Sequence, residues 1–280
     1  MAKEVIFMWT YNYTNELCHY GVLGMKWDVR RYQNSNGSLT TKGEARYYQE
    51  SDKKIKTNPD GSQTIPKGFK FNRVGESSLN INESGALYVS YGKEDVSRYI
   101  KSLGPTPIGK LFKNYHDTVQ HISVKSDLKM PSNTQIARDT ANLLLLNKEL
   151  LDKLDKSIYS SVFTGDFNKH ITERDVQKAL QNPSGKDIHK LSYCVNSFFG
   201  DPNYINETKA FYDYYRNKGY DAIPDVHDRL SGTSKTAMII INPDKVTMTS
   251  STYITKDVMK SAKTYVKTLE KLKVSDLIKD

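Results

Sequence analysis

The run Ala237-Met238-Ile239-Ile240-Ile241, closed by Asn242-Pro243-Asp244, constrains the fold more than any other part of this chain. Five consecutive apolar residues show no alternation with polar ones, so both faces of the segment need cover, as in a buried central strand. Its flanks extend the pattern. Tyr220-Asp221-Ala222-Ile223 reads as a short strand, Pro224 to Thr236 as a polar loop, and Lys245 to Thr249 with Tyr253 as a further strand. From Lys256 on, Val258, Ala262, Val266, Leu269 and Leu272 fall on one side of an amphipathic helix and lysines on the other.

The preceding 200 residues interleave short strands and helices. Strands are expected at Phe69 to Val74, Ala86 to Tyr91 and Val119 to Lys125, with a short helix from Glu94 to Leu103. A longer helix opens on Ser132-x-x-Gln135, the pattern of a capping box, and runs to about Leu154. Ile136, Thr140, Leu143, Leu144, Leu146, Leu150, Leu151 and Leu154 form its apolar face, which reads as core. Further helices are expected at Glu173 to Gln181, Asp187 to Phe199 and Asn206 to Lys218, the last ended by Gly219. The fold class is α+β, a small mixed sheet with surrounding helices and an extended N-terminal arm. Residues 1–47 form the arm, 48–64 a polar linker punctuated by Asn58-Pro59-Asp60-Gly61, 65–255 the body and 256–280 the C-terminal helix.

Composition excludes several classes. The chain has 280 residues and two cysteines, Cys18 and Cys194, which argues against a disulfide framework and suits a reducing compartment. No apolar stretch approaches the roughly 20 residues of a transmembrane helix, and the start turns polar too soon for a signal peptide. No membrane partner is expected. With 41 Lys and Arg against 32 Asp and Glu the net charge is +9. The basic residues are spread along the chain, so the charge permits nucleic-acid binding without demanding it, and acidic protein partners suit it equally.

Residues 18 to 34, Cys-His-Tyr-Gly-Val-Leu-Gly-Met-Lys-Trp-Asp-Val-Arg-Arg-Tyr-Gln-Asn, continue through Gly37-Ser38-Leu39-Thr40, Gly43 and Arg46-Tyr47. Together they resemble an opening segment of bacteriophage virion proteins, from which they depart at Asp28 and Asn36. The resemblance implies a virion-associated structural or accessory protein, made in the host cytoplasm and kept in the virion, with other virion proteins as partners and a host protein as a further one. His19, Trp27, Arg30 and Arg31 are the expected partner-binding residues. Trp27 would anchor in a partner pocket and the two arginines would face acidic protein or phosphate. Docking of the same segment onto the chain's own body is the alternative. Cys18 and His19 offer two ligands where zinc needs four, so no metal is expected.

The body resembles the ADP-ribosyltransferase fold in the order of its elements. Phe71-Asn72-Arg73-Val74 matches the strand that carries an Arg, Leu87-Tyr88-Val89-Ser90 the strand ending in an aromatic residue and Ser, and Gly219-Tyr220-Asp221-Ala222-Ile223 with Met238-Ile239-Ile240-Ile241-Asn242-Pro243 the closing pair. The resemblance implies that Arg73 and Tyr88 bind NAD, that Ser90 supports the nicotinamide pocket, and that a Glu stabilises the ribose. Ala237 stands where that Glu belongs, and the nearest acids, Asp225 and Asp228, fall in the polar loop. The sequence thus favours a domain that keeps the scaffold without the chemistry and requires no cofactor. The alternative is an active NAD-dependent mono-ADP-ribosyltransferase with Asp225 or Asp228 as a displaced acid. Three plainer readings stand beside these: Arg73 as a surface residue paired with Glu76, Cys194 as a buried inert thiol, and the Gly104 to Gly109 run as a turn.

Overall fold

A computed structural model of the chain describes residues 32, 34, 38–76, 78–79, 81–106, 115–153, 172–182, 187–188, 190–192, 195, 202–230 and 233–277. His19, Trp27, Arg30, Arg31 and both cysteines lie outside the described residues. The strands are β1 (Lys56–Thr57), β2 (Gln63–Ile65), β3 (Lys70–Gly75), β4 (Leu87–Val89), β5 (Thr118–Val124), β6 (Leu128–Met130), β7 (Ala222–Pro224), β8 (Met238–Ile240) and β9 (Val246–Tyr253). They form three three-stranded sheets, ordered β1-β2-β6, β3-β5-β9 and β4-β8-β7. Every pairing among them is antiparallel, which corrects the expectation of a mixed sheet. A bridge between Asn72 and Ser90 joins the second sheet to the third.

The unbroken apolar run lies where its chemistry requires. β8 is the central strand of its sheet, and its alternate residues feed different cores. Ile239 and Ile241 enter a cluster with Ile223, Ile136, Leu144, Phe211 and Tyr215, whereas Met238 and Ile240 enter one with Phe71, Leu87, Ile122 and Leu128. Helices α3 (Asn133–Leu146), α4 (Lys148–Lys153), α5 (Glu173–Gln181) and α6 (Ile205–Asn217) supply much of the first cluster. A third cluster lies between α1 (Thr41–Tyr47), α2 (Lys93–Leu103) and α8 (Lys256–Leu277), with Val74 and Val119 contributed by β3 and β5.

Four differences from the sequence reading have local causes. The expected helix over 132–154 breaks at Asn147, whose N–H bonds to the Leu143 carbonyl while its side chain accepts from Leu150 N, so one residue ends α3 and opens α4. The break leaves Leu146 87% exposed, not on the apolar face. The polar loop 224–236 contains a short helix, α7 (Val226–Leu230). The linker 48–64 holds β1 and part of β2.

The fourth difference concerns the arm. Its C-terminal part belongs to the body: Leu39 and Tyr47 are buried in the third cluster, beside Tyr48 at the start of the linker. His121, buried on β5, meets the Arg46 carbonyl through Nε2 (2.8 Å) and Asn72 Oδ1 through Nδ1 (2.9 Å), while Asn72 Nδ2 donates to the Gln49 carbonyl (2.9 Å). Thr40 caps α1 by accepting from Gly43 N, as the Gly and Thr spacing allows. Gly219, with φ +78°, ends α6 in the left-handed conformation that its sequence position suggested.

Candidate active site

A cleft of about 240 Å³ opens where β3, β4, α2 and α7 meet, and Arg73, Tyr88, Ser90, Asp225 and Asp228 all line it. Five residues picked from distant parts of the sequence are thereby gathered at one place. Backbone pairing sets two of them: Asn72 N donates to the Ser90 carbonyl (2.8 Å) and Ser90 N to the Asn72 carbonyl (3.0 Å), so the Arg73 strand and the Ser90 strand are held edge to edge.

The two acids are held more firmly than a polar loop would hold them. Asp225 follows β7 directly, and its N–H donates to the carbonyl of Ala237 (3.1 Å), so it sits across the ladder from the residue that replaces the expected Glu. Its side chain accepts from Asp228 N (3.1 Å), the N-cap bond that opens α7 and turns Asp228 toward α2. Tyr99 on α2 donates its hydroxyl to Asp228 Oδ2, and His227 Nδ1 lies 3.3 Å from Asp228 Oδ1. Arg229 ties the helix to β8 through Nε and the Ala237 carbonyl (2.7 Å). On the far side, the buried Asp95 of α2 accepts from Lys235 N (3.2 Å) and Thr236 N (2.8 Å), which fixes the chain leading into β8.

These surroundings separate the two carboxyls. Burial, reinforced by the negative charge of Asp228, raises Asp225 from 3.8 to about 6. Burial acts on Asp228 in the same direction, but hydrogen bonds from His227 and Tyr99 outweigh it and hold that carboxyl below its ordinary value. His227 is raised by its bond to Asp228. Arg73 is half-buried, its guanidinium Nη1 donates to Gln120 Oε1 (3.0 Å), and Glu76 interacts with it electrostatically. Tyr88 is raised by burial, and its hydroxyl shares a hydrogen bond with Tyr212 (3.1 Å). At neutral pH the cleft thus holds a cation, one firmly ionised carboxylate and one carboxylate close to its titration.

Asp225, His227 and Asp228 bring one donor atom each within 4.8 Å of one another. Two of the oxygens of these carboxylates already accept hydrogen bonds, Asp228 Oδ2 from the Tyr99 hydroxyl and Asp225 Oδ1 from Asp228 N.

Sequence reasoning missed Tyr99, Gln120, Asp95 and His116. Tyr99 and His116 line the cleft, and the other two hold its walls. Tyr99 sits on the polar margin of an amphipathic helix, and Gln120 on a strand, Thr118–Val124, that also carries Thr118, His121 and Ser123, so residue type alone did not single Gln120 out.

The raised carboxyl carries a stability prediction. Between pH 3.8 and about 6 the folded chain keeps a proton that the unfolded chain releases, so stability falls as pH rises through that window. A shift of about two units corresponds to on the order of 3 kcal/mol. Asp225→Asn keeps the cap acceptor and removes the charge, so its melting temperature should exceed that of the native protein at pH 8 and the gap should close toward pH 4. Calorimetry at the two pH values checks this. A variant less stable at pH 8 would mean that Arg229 and His227 make the carboxylate net stabilising.

Residues 10–34 match a family of unknown function (DUF7211), a stretch that includes His19, Trp27, Arg30 and Arg31. No curated protein and no solved structure matches the chain. No helix among the described residues is long and apolar enough to cross a membrane.

Proposed function

We propose that the cleft binds NAD and moves its ADP-ribosyl group to an acceptor, within a phage protein carried in the virion. One observation carries the enzymatic part: Arg73 and two carboxyls of opposite pKa displacement line the same cleft, and such separation marks acid and base assignments. The order of elements, with the Arg73 strand bridged to Ser90 and β8 behind them, supports an ADP-ribosyltransferase-like topology. The likeness of residues 18–47 to phage virion segments supports the virion part, with other virion proteins as partners of Trp27 and the Arg30-Arg31 pair.

The volume of about 240 Å³ lies below the roughly 300–1,000 Å³ of common ligand pockets, so the cleft suits a nucleoside-sized part of the dinucleotide. Arg73 supplies charge-assisted hydrogen bonds to a phosphate, and Tyr88, 37% exposed at the mouth, offers a ring face. Asp228 stabilises the positive charge that grows on the ribose as the bond to nicotinamide breaks and its electron pair leaves with the ring nitrogen. An acceptor oxygen or nitrogen then bonds the ribose carbon. Asp225, poised near pH 6, takes the acceptor's proton.

Ala237 favours the rival reading, a scaffold without chemistry. NAD labelled in its adenylate part, incubated with the protein and host lysate, separates the two. Labelled protein or free labelled ADP-ribose with the native chain, and neither with Arg73→Ala, is expected. No product from the native chain would leave the inert scaffold.

A further inference from the structure

Arg73 is presented to the cleft by groups that bind no ligand themselves. β3 and β5 pair with Arg73 directly opposite Gln120. Gln120 is completely buried, and its Nε2 donates to the carbonyls of Glu76 (2.6 Å) and Ser78 (2.6 Å), which uses both of its protons. The amide therefore has one orientation, with Oε1 turned to Arg73 Nη1 at 3.0 Å. Two residues along β3, Gly75 leaves the space in which the guanidinium lies: a Cβ there would stand 2.9 Å from Arg73 Nη1 and 3.4 Å from its Cζ. Gly75 has no positive φ, so room for the arginine, not backbone conformation, is what its missing side chain provides.

We infer that Gln120 and Gly75 are positioning residues for Arg73, which hold its guanidinium ready for the phosphate of a nucleotide in the cleft. The inference rests on the nucleotide reading above. A free arginine side chain loses rotamer freedom when it captures an anion, and one already fixed by a locked amide loses less, so the bond to phosphate is stronger in the net. Gln120 is fully buried and each of its hydrogen-bonding atoms is engaged, so orienting the guanidinium is the role its geometry fits.

Gly75→Ala is the informative variant, because the new methyl group meets the tip of a flexible side chain and the fold can accommodate it. Titration calorimetry with ADP-ribose and with adenosine, on the full chain, is the measurement. Gly75→Ala should weaken ADP-ribose by about tenfold, the equivalent of one charge-assisted hydrogen bond, and leave adenosine affinity unchanged. Gln120→Glu, which loses both donors and draws Arg73 into an ion pair, should weaken ADP-ribose as well, and if it does not fold Gly75→Ala still decides. Equal ADP-ribose affinity in Gly75→Ala and the native chain, with binding lost in Arg73→Ala, would overturn the positioning role and leave the cleft reading intact. Native affinity in Arg73→Ala, or no binding by the native chain, would overturn the nucleotide reading and this inference with it.

Discussion

Asp228→Asn is expected to lower NAD turnover by about 10²–10³, the usual loss when one preorganised electrostatic partner of a transition state is removed. The substitution keeps the shape of the side chain. Its amide oxygen still accepts from the Tyr99 hydroxyl and its amide nitrogen replaces the oxygen that faces His227, so the walls of the cleft remain. Only the negative charge is lost, and that charge is what a growing positive ribose needs. The loss should appear in kcat with little change in KM, because the ground-state substrate carries less positive charge at the sugar than the transition state does. Turnover unchanged in Asp228→Asn but abolished in Asp225→Asn would move the electrostatic role to Asp225. Unchanged turnover in both would remove the carboxylates from the chemistry.

Deleting residues 1–47 should destabilise the body by about 4–9 kcal/mol, a large share of the roughly 5–15 kcal/mol that holds a typical domain. Leu39 is 6% and Tyr47 4% exposed, and removing two such side chains from a core costs about 1.5–3 kcal/mol each. Loss of the Arg46 carbonyl also leaves Nε2 of the buried His121 without its acceptor, at a further cost of about 1–3 kcal/mol. Deleting only residues 1–31 removes none of these groups. Urea unfolding of the two truncations beside the full chain checks the contrast. Equal midpoints would show that the segment around α1 contributes nothing to the stability of the body, and that the arm can be cut at residue 47 after all.

Much of the molecule was legible one element at a time. The Ala237 to Ile241 run, the Glu173–Gln181 helix and the glycine at 219 each state their structure locally, through burial demand, capping and backbone freedom, which depend on few neighbours. The break at Asn147 was not visible, because a leucine stripe continues across it and periodicity outweighs a single capping residue. Nor was the inclusion of Leu39 and Tyr47 in the core, since burial of a polar-looking segment depends on which partner surfaces the fold brings to it.

The site divides along the same line. The resemblance carried by short motifs along the chain, not residue type alone, marked Arg73, Tyr88, Ser90, Asp225 and Asp228 as the groups to watch. Only the tertiary structure decided that they share a cleft, that Asp225 lies across the ladder from Ala237, and that Tyr99 and Gln120 hold Asp228 and Arg73 in place. The reason is physical. Sequence spacing sets which side chains share one strand or helix face, whereas the separation of the two carboxyl pKa values arises from burial and from the Tyr99 hydroxyl, 129 residues away, acting together with the neighbouring His227.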